Sequence, residues 1–144
     1  MRLVADSNIL FSALISGKPV YLDIFRSTQV FVPDFMFLEI EKYEERIIRK
    51  TRLGQSFRQF TRELFGEVTV IPKLAIAPES FAMAYALCHD IDEKDTPFLA
   101  LSIDLEIPLW SNDKPLLDGL RAKGYGRLIG NDEVFALMDS ATND

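Results

Sequence analysis

Histidine and cysteine are almost missing from this chain: one of each, His89 and Cys88, in 144 residues. A zinc centre draws on several such ligands, a histidine acid–base pair needs two imidazoles, and an internal disulfide needs a second thiol, so all three are excluded. Long apolar runs are missing as well. No stretch is long enough to cross a bilayer, and the first residues lack the basic and then apolar segments of a secretory signal. The expectation is a cytoplasmic protein with no membrane partner. Cations are in short supply, 16 Lys and Arg against 22 Asp and Glu, for a net charge of −6. That balance excludes coating nucleic acid by bulk electrostatics, but it leaves room for a protein that uses metal ions and a local basic patch.

What is abundant is apolar sequence, 48% of the residues, enough for one domain with a full core. Short runs rich in β-branched or aromatic residues predict strands at 3–5, 30–32, 68–71, 108–110 and 127–129. Between them, helical periodicity predicts helices near 9–15, 20–27, 34–50, 55–65, 79–88, 96–105, 115–122 and 132–138. The stretch TRLGQ, 51–55, reads as a helix–helix turn. Strands alternating with helical crossovers imply an α/β/α sandwich around a parallel sheet of about five strands. The domain should occupy residues 1–139, with 140–144 as a polar tail.

Carboxylates stand where they should be expensive. Asp6 ends the apolar run Leu3, Val4, Ala5, at the carboxyl end of a strand, where ligands bind in open parallel sheets. It also stands where an aspartate could simply cap the next helix. Glu39 falls on the flank of the stripe Met36, Ile40, Tyr43, Ile47, whereas Glu41, Glu44 and Glu45 fall on a solvated face. Asp95, followed by Thr96 and Pro97, reads alone as a helix N-cap. Asp113 closes the short strand of IPLWSND and repeats the pattern of Asp6, with a turn or cap before Pro115 as the competing reading.

Together these segments resemble the PIN-domain nucleases, which include the VapC-type toxin ribonucleases. The resemblance rests on VADSNIL at the first strand, Glu39 in the helix after the second, DEKDTPFLALSIDL, and PLWSND at the fourth strand. The order of these segments and the eighteen-residue step from Asp95 to Asp113 make the combination specific. It implies a central first strand and a pocket of four acids, Asp6, Glu39, Asp95 and Asp113, that binds Mg²⁺ or Mn²⁺ and cleaves RNA. Asn8 and Ser111 match polar positions of the family. Asp92 is an extra carboxylate, either supporting the pocket or merely solvated. An antitoxin partner and a homodimer are further implications, the latter expected through the helices at 34–50 and 55–65.

The chemistry agrees. Crowded carboxylates repel one another unless some are protonated or a cation is bound, and all-oxygen ligands favour Mg²⁺ or Mn²⁺ over softer metals. Between positions 45 and 62 six cations, Arg46, Arg49, Lys50, Arg52, Arg58 and Arg62, face the single acid Glu45. Arg46, Arg49, Lys50 and Arg52 are the candidate RNA contacts, unless they only solvate their helices. Phe57 and Phe60 read as core rather than as stacking platforms, and Cys88 and His89 as structural. Two other readings compete: a catalytically silent PIN-like module that binds RNA or protein, and an aspartate-based phosphatase. The latter is disfavoured because Asn8 stands where haloacid-dehalogenase-type phosphatases carry a second aspartate.

Overall fold

The first strand, β1 (Arg2–Ala5), carries Leu3, Val4 and Ala5 with no exposed surface, as a strand covered on both faces must. In the computed structural model, which describes residues 1–143 and the side chains of 1–140, β1 is the middle strand of five. It pairs in parallel with β2 (Gln29–Pro33) on one side and β4 (Leu109–Trp110) on the other. Beyond these lie β3 (Val68–Ile71) and β5 (Leu128–Ile129), giving the order β3-β2-β1-β4-β5, parallel throughout. Every expected strand is present, and the central place of β1 is as the resemblance implied.

The chain steps from β1 outward to β3, then returns to the other side of β1 for β4 and β5. With right-handed crossovers, that reversal puts the early helices on one face and the later ones on the other. The early group is α1 (Ser7–Ser16), α2 (Pro19–Ser27), α3 (Phe35–Lys50) and α4 (Phe57–Gly66). The later group is α5 (Pro78–Asp92), α6 (Thr96–Leu105) and α7 (Lys114–Ala122). The closest helix packing falls within these groups, α1 with α3, α2 with α4, and α5 with α6 and α7. Residues Phe98 to Ser102 of α6 are almost completely buried where that helix lies against β1, β2 and β4.

The last helix, α8 (Asn131–Asn143), extends past the expected end at 138. The polar tail foreseen at 140–144 is helical in its backbone to 143; Asp144 and the side chains of 141–144 lie outside the described residues. Helix α5 runs four residues beyond its expected end at Cys88, which carries Asp92 toward the sheet's carboxyl edge. No helix among the described residues is long and apolar enough to cross a membrane.

Three contacts set the position of α3 against α1. Gly17 ends α1 at φ +64°, and the side chain of Leu53 lies 2.5 Å from where a Cβ would stand, so a larger residue there would clash as well as strain the backbone. The Thr51 hydroxyl donates to the Leu14 carbonyl at 2.6 Å, and the Arg52 amide donates to Ile15 at 2.9 Å. The helix–helix turn at 51–55 is thereby clamped to the end of α1, and the last turns of α3 are held beside it.

Candidate metal centre

The sheet reverses its winding between β1 and β4, and in open parallel sheets ligands bind at the carboxyl ends of the strands that flank such a reversal. Both strands end there in polar sequence. Ala5 pairs with Trp110, so Asp6 on β1 and Ser111 on β4 are the next residues of neighbouring strands, and the Asp6 amide donates to the Trp110 carbonyl at 3.1 Å.

Asp6 is 1% exposed. Its Oδ1 accepts the Ile9 amide at 3.1 Å, so it does cap α1, but its Oδ2 is buried without a partner. Asp113 caps α7 in the same manner, accepting the Leu116 amide at 3.2 Å. The Ser111 hydroxyl accepts the Asp113 amide at 3.1 Å and so fixes the turn that aims Asp113. Asp95 departs from its sequence reading. It stands at the N-cap position of α6 with helical backbone angles, φ −79° and ψ −6°, and makes no side-chain cap bond. It is 7% exposed, and its Oδ2 also lacks a partner. Capping therefore accounts for one oxygen of Asp6 and for none of Asp95.

Carboxylate oxygens of Asp92, Asp95 and Asp113 lie within 4.8 Å of one another. Asp92, for which sequence left two readings open, thus belongs to the cluster; the signal was its place three residues before Asp95 across a single 3₁₀ turn, Glu93–Asp95. Glu39 is 9% exposed and lines a cleft of about 360 Å³ together with Asn8, Tyr43, Arg46, Lys50, Asp92, Lys94 and Asp95. Arg46 and Lys50, one helical turn apart, form the cationic wall of that cleft and make no ion pair among the described residues. Arg49 and Arg52 do not line it. Phe60 is buried and Phe57 half-buried, as core residues. Cys88 is buried beside the Thr96 hydroxyl, and His89 stacks on Tyr85 at the surface. Lys94, absent from the sequence reading, could not have been singled out, because only the fold turns it toward the cleft.

The crowding shows in the acidities. Burial pushes the Asp6 carboxyl from 3.8 up to about 6, against the pull of the Ser111 hydroxyl and the Ile9 amide, with a further push from the charge of Asp113. Asp95 is driven to about 8, first by burial and then by the charges of Asp6, Asp92, Asp113 and Glu39. The charges of these four all bear on Asp95, while the oxygens that lie within 4.8 Å of one another are those of Asp92, Asp95 and Asp113, without Asp6 and Glu39. Two buried carboxylate oxygens without donors are costly, and either a proton or a cation must meet them. A donor set made only of carboxylates fits a hard divalent cation such as Mg²⁺ or Mn²⁺.

The profile of the family described as PIN domain matches residues 4–129. Among solved structures, a chain of the crystal structure of VapBC2 from Rickettsia felis bound to a DNA fragment from their promoter superposes with a TM-score of 0.59. The superposition covers 91% of this chain and 98% of that one at 12% sequence identity, a likeness of fold. No curated protein matches by sequence.

Proposed function

The chain belongs to the PIN-domain family, and from that premise we propose that it is a metal-dependent endoribonuclease, the toxin half of a toxin–antitoxin pair or a related RNA-processing nuclease. The observation that carries this reading is the pair of partnerless oxygens, Asp6 Oδ2 and Asp95 Oδ2, buried at the switch between β1 and β4, the latter within the cluster of Asp92, Asp95 and Asp113. Asp6, Asp95 and Asp113 would hold Mg²⁺ or Mn²⁺, with Glu39 and Asp92 as ligands directly or through water. When bound, the ion would supply charge that activates water for attack and stabilises the phosphate as it gains charge.

The rest falls to the chain's own side chains. Arg46 and Lys50 bind the phosphates of the strand on the wall opposite the acids, which gives an acidic protein its local hold on RNA. Asn8, at the first turn of α1 and open to the cleft, contacts the phosphate or orients a carboxylate. Ser111 acts as a positioning residue through its bond from the Asp113 amide. Attack by water, rather than by the ribose 2′-hydroxyl, leaves a 5′-phosphate and a 3′-hydroxyl. Likeness in fold to a VapBC2 chain supports an antitoxin as partner, and on the same reading the protein is cytoplasmic and works as a homodimer.

The test is product mapping on a panel of RNAs with Mn²⁺ or with chelator. Metal-dependent cuts with 5′-phosphate ends are expected. Metal binding with no RNA ever cut would leave a binding module instead.

A further inference from the structure

A second hollow, about 510 Å³, lies between α1 and the turn that follows β4. Asn8 and Phe11 line both it and the acid cleft, so the two adjoin along α1. Their linings differ in charge. Arg46, Lys50 and Lys94 stand in the acid cleft, whereas the second hollow is lined by no lysine or arginine and by one charged residue, Asp113. Its other polar groups are neutral, Ser12, Ser16 and Asn112. The hydroxyls are engaged, Ser12 with the Tyr21 phenol and Ser16 with the Lys18 amide at 3.3 Å. The exposed Asn112 side-chain amide makes no hydrogen bond among the described residues. Its backbone is pinned on both sides, since the Ser111 amide donates to the Ile129 carbonyl and the Asp113 amide to the Ser111 hydroxyl, each at 3.1 Å. A free amide group is thereby held next to a carboxylate of the acid site.

A phosphate finds no partner in a hollow whose one charge is negative, but a nucleobase does, because base edges are read by neutral donors and acceptors. Phe11 packs edge-to-face on Tyr43, ring centroids 5.5 Å apart, and gives the hollow a firm aromatic wall. Beyond Asn112 stands Lys114, exposed and without an ion pair among the described residues; the two line the next depression together. A base in the hollow therefore lies between two places for phosphate, the acid site on one side and Lys114 on the other. An amide presents one donor and one acceptor side by side, which match N7 and N6–H of adenine. Guanine offers two acceptors, N7 and O6, on the same edge and calls for a cation, which this hollow lacks.

We infer that this hollow seats the nucleobase beside the phosphate at the acid site, and that Asn112 reads it with a preference for adenine. Lys114 holds the phosphate on the far side of that base. The inference rests on the nuclease reading for the path of the strand and adds what that reading leaves open, the choice of base.

Fluorescence anisotropy of the full chain with short labelled RNAs, oligouridine with one position changed in turn to A, C or G, tests it. Ca²⁺, another hard cation for the acids, replaces Mn²⁺ so that binding is measured apart from cleavage. Wild type is expected to bind the best adenine-containing RNA roughly fivefold or more tightly than oligouridine. Asn112→Ala should erase that difference and keep both the melting temperature, since the amide has no contacts to lose, and the salt dependence, since it touches no phosphate. Asn112→Asp, an acceptor only, should move the preference to cytosine, whose N4 donates. Lys114→Ala should weaken every RNA alike and lower the salt dependence by about one ion. Wild type that binds all the RNAs alike or not at all, an Asn112→Ala protein that keeps the preference, or an Asn112→Asp protein that still prefers adenine would overturn the inference. Cleavage without base preference would remove the subsite alone. A preference lost with Asn112→Ala in a protein that never cuts RNA would keep the subsite and remove the nuclease reading.

Discussion

Asp6 and Asp113 do the same work after adjacent parallel strands: Asp6 follows β1 directly, Asp113 stands three residues beyond β4, and each gives one carboxylate oxygen to an amide of the helix that follows, Ile9 at 3.1 Å and Leu116 at 3.2 Å. Capping and metal binding are therefore not rival roles. The helix bond fixes the carboxylate plane, and the second oxygen of Asp6 is left buried with no hydrogen-bond partner.

Asp6→Asn separates the two roles, because the amide oxygen can still accept from Ile9 while one of the crowded charges is gone. Metal-dependent cleavage should fall by roughly a hundredfold or more. In chelator the variant should melt at or above the wild-type temperature. Asp6→Ala, which loses the cap as well, should be less stable than Asp6→Asn by about 1 kcal/mol in denaturant titration.

Divalent metal should raise the melting temperature, since the dispersed carboxylates of the unfolded chain bind it poorly. At a hundredfold excess over Kd the gain is about 2.7 kcal/mol. For a chain of this size that is on the order of 5–10 °C. Asp113→Asn should lose most of the increment and Glu45→Gln, on the exposed face of α3, should retain it. Equal increments in wild type and Asp113→Asn would dismiss the shared pocket.

Without metal, stability should depend on pH in the direction opposite to a salt-bridged carboxylate. Asp6 and Asp95 titrate at about 6 and about 8 when folded, against 3.8 as the ordinary value. Between the ordinary and the raised values the folded chain keeps protons that the unfolded chain has released. The stabilisation is thus full below pH 4 and is lost as pH rises toward 8. Melting in chelator should show that decline for these two groups, and Asp95→Asn should flatten its upper part, from about pH 6 to 8. The metal increment should grow over the same interval, because the cation competes with those protons.

Arg46→Ala and Lys50→Ala should raise KM for RNA several-fold, about 3- to 10-fold each, with kcat nearly unchanged, and each should reduce the salt dependence of binding by about one ion. Arg52→Ala, outside the cleft wall, should have a smaller effect on both. Cleavage kinetics at several salt concentrations would check the ranking.

Sequence alone determined the elements that rest on local periodicity and on burial. The run Leu3, Val4, Ala5 reads as a strand covered on both faces, because it is apolar at every position and too short for a buried helix. Strands alternating with amphipathic helices then require parallel crossovers, and a carboxylate ending such a strand lies at the ligand edge whatever the neighbours are. Glu39 could be singled out on the same grounds, from its place on the flank of a helical stripe.

Tertiary structure alone decided what depends on residues far apart in the chain. Whether Asp95 caps its helix or faces the other acids turns on backbone angles that the 3₁₀ turn before α6 imposes, and those favour the acids. Asp92 joins the cluster because α5 runs four residues past Cys88, and α3 brings Arg46 and Lys50 to the cleft because Thr51 and Leu53 clamp its end to α1. The exposed apolar residues Phe37, Leu38, Leu74, Met83 and Tyr85 come from three segments, α3, α5 and the turn between β3 and α5, and look unremarkable one at a time. Exposure is a property of the packed surface, and local sequence carries propensity and periodicity but not the position of a distant neighbour.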